Sequence, residues 1–322
     1  MTWIVTPLAP FTALVAGAFL ASAPVAAQTY PSQTVSVVVP FPPGGGTDFI
    51  ARLITDQLSQ RFPQPVIIDN RPGAATIIGT EHVRHSAADG HTILMATNSL
   101  VSNEVMSPEA SYDIDRDFEL VTLLGVSPNL MTVGTQSPYT DLQSILDAAL
   151  ADPEAVSFVS YGPASAQVFS FFEINRQMGA ELVDIPYQGH SNAFAAILSN
   201  EVDILFPSIT ATLPGVQGGQ LRPIALASDV RSPLLPEVPT FMELGITLEA
   251  GTWYGFLVPK GTPAEVISAL HTEVAEVLAM DEVREPLEAQ GLLIRAWDGE
   301  RFGEMVAEQR ASWVAFRDAS AE

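Results

Sequence analysis

The sequence predicts an α/β protein of two domains built on mostly parallel sheets, and three observations carry that prediction. The 322 residues exceed one average domain and suit two. Hydrophobic residues make up 47% and charged residues 16%, enough apolar material for real cores and too much for disorder. From residue 35 onward, strand-like runs alternate with helical periodicity, the β–α–β pattern of parallel strands joined by right-handed crossovers.

The first elements set the frame. Phe11 to Leu20 is apolar and rich in small residues, and Ala21-Ser22-Ala23 and Val25-Ala26-Ala27 follow as small-x-small cleavage patterns. This predicts an exported chain whose leader is cut near Ala27 or Ala23, although Met1 to Pro10 carries no Lys or Arg. The apolar run is short of the ~20 residues a membrane span needs. No later stretch qualifies, so the mature chain is expected to be soluble. Val35 to Val39 is a β-branched strand, followed by the loop Pro40-Phe41-Pro42-Pro43-Gly44-Gly45-Gly46-Thr47-Asp48. Phe49, Ile50, Leu53, Ile54 and Leu58 then recur at helical spacing, with Thr47 or Asp48 as the expected cap. Val66 to Ile68 reads as a strand, Ala74 to Ala87 as a helix and Thr92 to Ala96 as a strand.

Strands near Leu120–Leu124 and Leu130–Val133 lead out of this unit, and the alternation resumes. Helices are expected at Asp141–Leu150, Ser165–Met178 and Asn192–Asn200. Strands are expected at Val156–Ser160, Glu181–Ile185, Asp203–Phe206 and Leu221–Ala227. After the proline-rich stretch holding Pro233, Pro236 and Pro239 comes a strand, Trp253–Pro259. Thr262-Pro263 then reads as an N-cap and first-turn pair opening a helix to Met280. Helical segments at Glu282–Gln290 and Glu300–Phe316 close the chain.

Charge and cysteine content exclude several functions. A net charge of −23 repels nucleic-acid phosphate and anionic membrane surfaces. An anionic ligand would be repelled at long range too, so its capture needs local donors. With no cysteine there is no disulfide, thiolate nucleophile or cysteine zinc site.

Such donors are offered by Pro42-Pro43-Gly44-Gly45-Gly46-Thr47-Asp48, between a strand end and a helix start. Glycines let backbone approach a ligand without a Cβ in the way. The helix N-terminus presents unpaired N–H groups with partial positive charge, so it can hold an anion without an arginine. No Gly-Lys-Ser/Thr follows, so the loop is not a P-loop, and it lacks G-x-G-x-x-G spacing. The loop Ser160-Tyr161-Gly162-Pro163-Ala164-Ser165-Ala166 has the same strand-to-helix context in the second block. Ligands of open α/β sheets sit beyond the carboxyl ends of strands, so one such loop per domain could face the other across a cleft.

The string Tyr30-Pro31 … Val37-Val38-Val39-Pro40-Phe41-Pro42-Pro43-Gly44-Gly45-Gly46-Thr47-Asp48 … Ala51-Arg52 resembles the opening of the tripartite tricarboxylate transporter substrate-binding family, the Bug receptors. Matches continue in family order through Asp69-Asn70-Arg71-Pro72-Gly73-Ala74, Ile78-Gly79, Asp89-Gly90-His91-Thr92, Pro186-Tyr187-Gln188-Gly189, Gly219-Gln220-Leu221-Arg222, Trp253-Tyr254-Gly255 and Lys260-Gly261-Thr262-Pro263. The resemblance implies a periplasmic-binding-protein-like clamshell with a two-strand hinge. Residues 28–128 with 253–322 would form one domain and 129–252 the other, after a leader at 1–27. It implies a periplasmic, monomeric receptor that binds a small carboxylate and hands it to membrane transporter subunits, with no cofactor, no metal and no nucleic-acid partner. Carried onto matching positions, Phe41, Gly44, Gly45, Gly46, Thr47 and Asp48 would line the cleft from domain one, beside Asn98 and Ser99. Ser160, Gly162, Ala164, Ser165, Tyr187, Gln188, Gly189 and Asp203 would face them. The Tyr161–Ala166 loop is shorter than usual for the family, and Gln167 and Val168 stand where a histidine is common, which implies an altered ligand preference. Phe169, Phe171 and Phe172 follow at a spacing that usually means core.

Two rival chemistries are weaker. Gly189-His190-Ser191-Asn192-Ala193 approaches the nucleophile elbow of a secreted α/β hydrolase but lacks its last glycine, and Ser191 has the position of a helix N-cap. His82 and His85 with Glu81 share a helix face at metal-ligand spacing, but a solvated face is the better reading. A sensory role, with the receptor presenting its solute to a signalling partner, is a third alternative.

Overall fold

The computed structural model describes residues 1–3, 30–160, 166–187 and 190–319; the expected leader and its cleavage positions fall outside them. The first block runs β1 (Val35–Val39), α1 (Gly46–Arg61), β2 (Val66–Asn70), a 3₁₀ turn (Ala74–Thr76), α2 (Ile77–Arg84), β3 (Thr92–Thr97), α3 (Ser99–Met106), α4 (Ile114–Asp117) and β4 (Phe118–Pro128). Its strands read as near-continuous apolar runs because helices cover both faces of the sheet. In β1, Val35, Val37 and Val39 pack with Ile50, Ile54 and Leu58 of α1. Val38 points the other way, into a core shared with Val83 of α2 and Leu100 of α3.

The chain leaves through β4 into β5 (Leu130–Gly134), α5 (Leu142–Ala151), β6 (Ser157–Ser160), α6 (Ala166–Met178), β7 (Val183–Pro186), α7 (His190–Leu198), α8 (Ile209–Gln217) and β8 (Leu221–Leu226). It returns through β9 (Gly251–Pro259) and ends with α9 (Ala264–Ala279), α10 (Asp281–Ala289), β10 (Leu293–Asp298) and α11 (Gly299–Ala319).

The first sheet has six strands in the order β10-β4-β9-β3-β1-β2. Strands β2, β1 and β3 are parallel, whereas β9 is antiparallel to β3 and β4, and β10 is antiparallel to β4. In the second block β6 and β7 pair in parallel and β5 pairs antiparallel to β8. Ile204 and Leu205 join the two ladders, bridging Phe158 on one side and Thr132 on the other.

Strands β4 and β9 are the two connections between blocks. They pair along their whole length, from Phe118 opposite Pro259 to Pro128 opposite Gly251. At the crossing the Asn129 N–H donates to the Ala250 carbonyl at 2.8 Å, and the Asn129 carbonyl accepts from the Ala227 N–H at 2.9 Å.

Three local expectations are corrected. The helix expected from Ala74 starts at Ile77, because Gly73, Ala74, Ala75 and Thr76 all take positive φ. That left-handed turn is closed by the Thr76 N–H on the Gly73 carbonyl and by the Asn103 side-chain amide on the Ala75 carbonyl. Hydrophobic periodicity is blind to such a turn. The helix expected to open on Thr262-Pro263 has Pro263 as its N-cap, while the Thr262 hydroxyl donates to the Pro259 carbonyl at 2.8 Å. Helix α1 is capped by Gly45 rather than by Thr47 or Asp48. The C-terminal helix α11 packs on α3, β4 and β10 of the first block. It also reaches α6 through Trp313, which stacks on Phe169 with ring centroids 4.6 Å apart.

Candidate functional site

The site is built from the β1–α1 loop. Gly44 has φ +86°, the left-handed region where glycine is at home, and this turns the chain so that α1 begins at Gly46. The first turn of any helix leaves its N–H groups without intrahelical partners, so Gly45, Gly46 and Thr47 present amides and the positive end of the dipole. A Cβ on Gly46 would meet nothing within 4 Å, and one on Gly45 only the Pro42 carbonyl oxygen at 3.8 Å. Neither residue needs glycine to fold: Gly45 is extended, at φ −83° and ψ 173°. What glycine provides at these two positions is open space.

That space is a cavity of about 290 Å³. Gly44, Gly45 and Gly46 form one wall, with Phe49 and Ile50 of α1 beside them. Ser127 of β4 and Tyr254 of β9 come from the connecting strands, Thr210 from the first turn of α8, and Gln290 and Leu292 from the segment before β10. The cavity therefore touches both blocks and the strands that join them. Among the described residues no arginine, lysine or histidine lines it.

Asp48, expected to line the cleft, holds the loop. It is 3% exposed. Its carboxylate accepts from the Gly44 N–H at 2.9 Å, from Arg52 Nε and Nη2 at 2.8 and 3.0 Å, and from Asn70 Nδ2 at 2.9 Å. The Arg52 guanidinium, helped by the Gly44 and Asn70 donors, holds the Asp48 carboxyl down at about 2, below its ordinary 3.8. A carboxyl whose folded value is depressed stabilises the fold above its unfolded value and loses that contribution as pH falls through the folded value. The window here runs from about pH 4 to about pH 2. Arg52 is half exposed and screened, so the contribution is about 1 kcal/mol. Acid titration of Asp48→Asn should therefore show a shallower loss of stability across that window than the wild-type protein. Identical slopes would mean that the clamp is not formed in solution.

The other expected residues are placed as follows. Phe41 packs against the apolar core, and its carbonyl accepts from Asn70 at 3.2 Å. Thr47 lies in the first turn of α1 but is not among the residues lining the cavity. Asn98 and Ser99 sit just past the end of β3, where the Ser99 hydroxyl bonds the hydroxyls of Thr97 at 2.8 Å and Thr76 at 3.2 Å. Ser160 ends β6, is fully buried, and its carbonyl accepts from the Tyr187 N–H at 2.9 Å. The Tyr187 hydroxyl meets Glu201 at 3.1 Å. The Asp203 carboxylate accepts from the N–H and hydroxyl of Ser157 at 2.9 and 2.7 Å. Ser157 begins β6, so Asp203 braces the end of that strand opposite Ser160. Gly162, Ala164, Ser165, Gln188 and Gly189 lie outside the described residues.

Beyond Phe49, Ile50 and Leu292, four polar lining residues were not read as site residues from the sequence. Ser127 and Tyr254 belong to strands whose role as connectors shows only in the pairing. Thr210 had an available signal: Ser208 follows the expected strand Asp203–Phe206 and is the N-cap of α8. Gln290 was assigned to the end of a helix. Ser191 is the second residue of α7 rather than its cap. Glu81 accepts from Arg84 at 2.7 Å and Ser111 at 2.8 Å, an ion-pair network beside His85. Among the described residues no helix is long and apolar enough to cross a membrane.

The chain has clear relatives among known proteins. The family described as "Tripartite tricarboxylate transporter family receptor" matches residues 50–319. A "UPF0065 protein in tcbD-tcbE intergenic region" of Pseudomonas sp. (strain P51) is 34% identical over 286 residues, covering 88% of this chain and 85% of its own. BugT of Bordetella pertussis is 33% identical over 286 residues, covering 86% and 87%. Among solved structures, a TctC solute binding protein from Polaromonas superposes with a TM-score of 0.82 at 26% identity, covering 90% of this chain and all of that one. An R. palustris protein with adipate superposes at 0.72 and 28% identity, covering 91% and 98%. MatC from Rhodopseudomonas palustris with bound malate superposes at 0.68 and 29%, covering 89% and 99%.

Proposed function

We propose that this chain, which belongs to the tripartite tricarboxylate transporter receptor family, is a periplasmic receptor that binds a small carboxylate between two lobes and delivers it to membrane transporter subunits. The observation that carries this reading is the first turn of α1, with its unpaired amides and side-chain-free Gly45 and Gly46, opening on a cavity shared by both blocks. A carboxylate seated there accepts backbone N–H bonds and meets the positive end of the helix, so it needs no arginine. That resolves the conflict with a net charge of −23. The similarity to proteins carrying adipate and malate supports a carboxylate as the solute.

The lobes we assign are 28–128 with 253–322, and 129–252, hinged where β4 meets β9; the leader ends near Ala27, and the receptor acts as a monomer without catalysis. Asn98, Ser99 and Ser160, at the carboxyl ends of their strands, with Tyr187 and, on the family resemblance, Gly162, Ala164, Ser165, Gln188 and Gly189, are assigned to the cleft of the closed receptor. Thermal stability of the mature protein against carboxylates, neutral sugars and metals tests the assignment. A ligand at 100 times its Kd adds about 2.7 kcal/mol. The expected result is a rise with one class of carboxylate and none with sugars. A rise only with a neutral solute or a metal would overturn it.

A further inference from the structure

Among the described residues, the part of the lining outside α1 and its loop holds hydroxyls and an amide but no cation. Ser127 is 5% exposed, and its Oγ has no hydrogen-bond partner among the described residues. Tyr254 stands on the neighbouring strand: Ser127 pairs with Thr252, so Tyr254 is its diagonal neighbour on the same face. Burial pushes the Tyr254 phenol up to about 12, so it is a neutral donor at any physiological pH. Thr210 and Gln290 add a hydroxyl and an amide, and Leu292 is apolar. A buried hydroxyl without a protein partner costs free energy in the empty site and gains it back when a ligand supplies the missing bond. Against the described lining, a second carboxylate placed here would be desolvated by neutral groups, which is far more costly than placing an uncharged polar group.

Resting on the receptor reading above, we infer that Ser127 and Tyr254 form a hinge-mounted subsite that selects singly charged acids with an uncharged polar far end, over dicarboxylates of the same length. The α1 amides take the carboxylate, and the connecting strands read the other end of the ligand. A ligand bound this way touches the hinge itself.

Calorimetric titration with isosteric pairs tests this. Adipate is compared with its monoamide adipamate, malate with its monoamide malamate, and hexanoate serves as the apolar control. The expected result is that a monoamide binds at least about tenfold more tightly than its parent dianion. The double variant Ser127→Ala with Tyr254→Phe should weaken the monoamide about tenfold while leaving hexanoate within about twofold. The free Ser127→Ala protein should melt no lower than wild type, because a partnerless hydroxyl has been removed; a purely structural serine would lower it. Tighter binding of the dianions, or a double variant that leaves monoamide affinity unchanged, overturns the subsite while the carboxylate receptor stands. If none of these acids binds, both the subsite and the receptor reading fall.

Discussion

Replacing Gly45 by valine should abolish carboxylate binding while leaving the protein folded. Gly45 caps α1 in an extended conformation that valine adopts readily. Its added Cβ would lie 3.8 Å from the Pro42 carbonyl oxygen and near nothing else, so no backbone has to move. The two methyl groups beyond that Cβ project into the cavity whose wall Gly45 forms. They displace the ligand oxygen from the α1 amides, and each lost bond to a charged group is worth about 1.5–3 kcal/mol. Two such bonds amount to a loss of at least about 100-fold in affinity. Valine is a poorer cap than glycine by roughly 1 kcal/mol, so the melting temperature should fall by no more than about 4 °C. Calorimetry and thermal denaturation on the same sample separate the two effects. Unchanged affinity would remove α1 from the site. Gly44→Ala is the contrasting variant, since φ +86° strains any side chain there and stability rather than binding should suffer first.

How far this site could be read in advance depends on what kind of signal each residue leaves. The Gly44–Gly46 loop was legible because glycines between a β-branched run and a 3.6-residue periodicity have a local meaning. Val35–Val39 was legible to the residue for the same reason. The bonds of Asp48 were not legible, because a carboxylate at a helix start looks alike whether it faces a ligand or folds back on Gly44 and Arg52; only the fold brings Asn70 to its other oxygen. The Asp203 contact with Ser157 left no sequence signal, because it depends on Ile204 lying parallel to Phe158 of β6. Ser127 and Tyr254 left no local signal at all. They lie about 127 residues apart in sequence, and their shared face is created by β4 pairing with β9. The left-handed turn from Gly73 to Thr76 was hidden under a run of small residues that reads as helix.

That pairing also sets the second large effect, at Gly251. A Cβ there would lie 2.3 Å from the Ser127 carbonyl oxygen and 2.8 Å from Pro128 Cα. Both are backbone atoms, so no rotamer change relieves the clash. Gly251 opens β9 opposite Pro128, at the point where both connections pass between blocks. Even Gly251→Ala must therefore pry β9 from β4 or unpair the crossing. Forced expansion of a packed site costs about 1–3 kcal/mol, and backbone that cannot yield places this variant at or above the upper end. The expected drop in melting temperature is roughly 10 °C, against little change for Thr252→Ala one residue along. Because Ser127 lies on the strand being displaced, affinity should fall with stability, unlike Gly45→Val, where the two separate. Gly251→Ala with wild-type melting would mean that the two connecting strands do not approach this closely in solution, and with it would go the placement of Ser127 and Tyr254 on one face of the hinge.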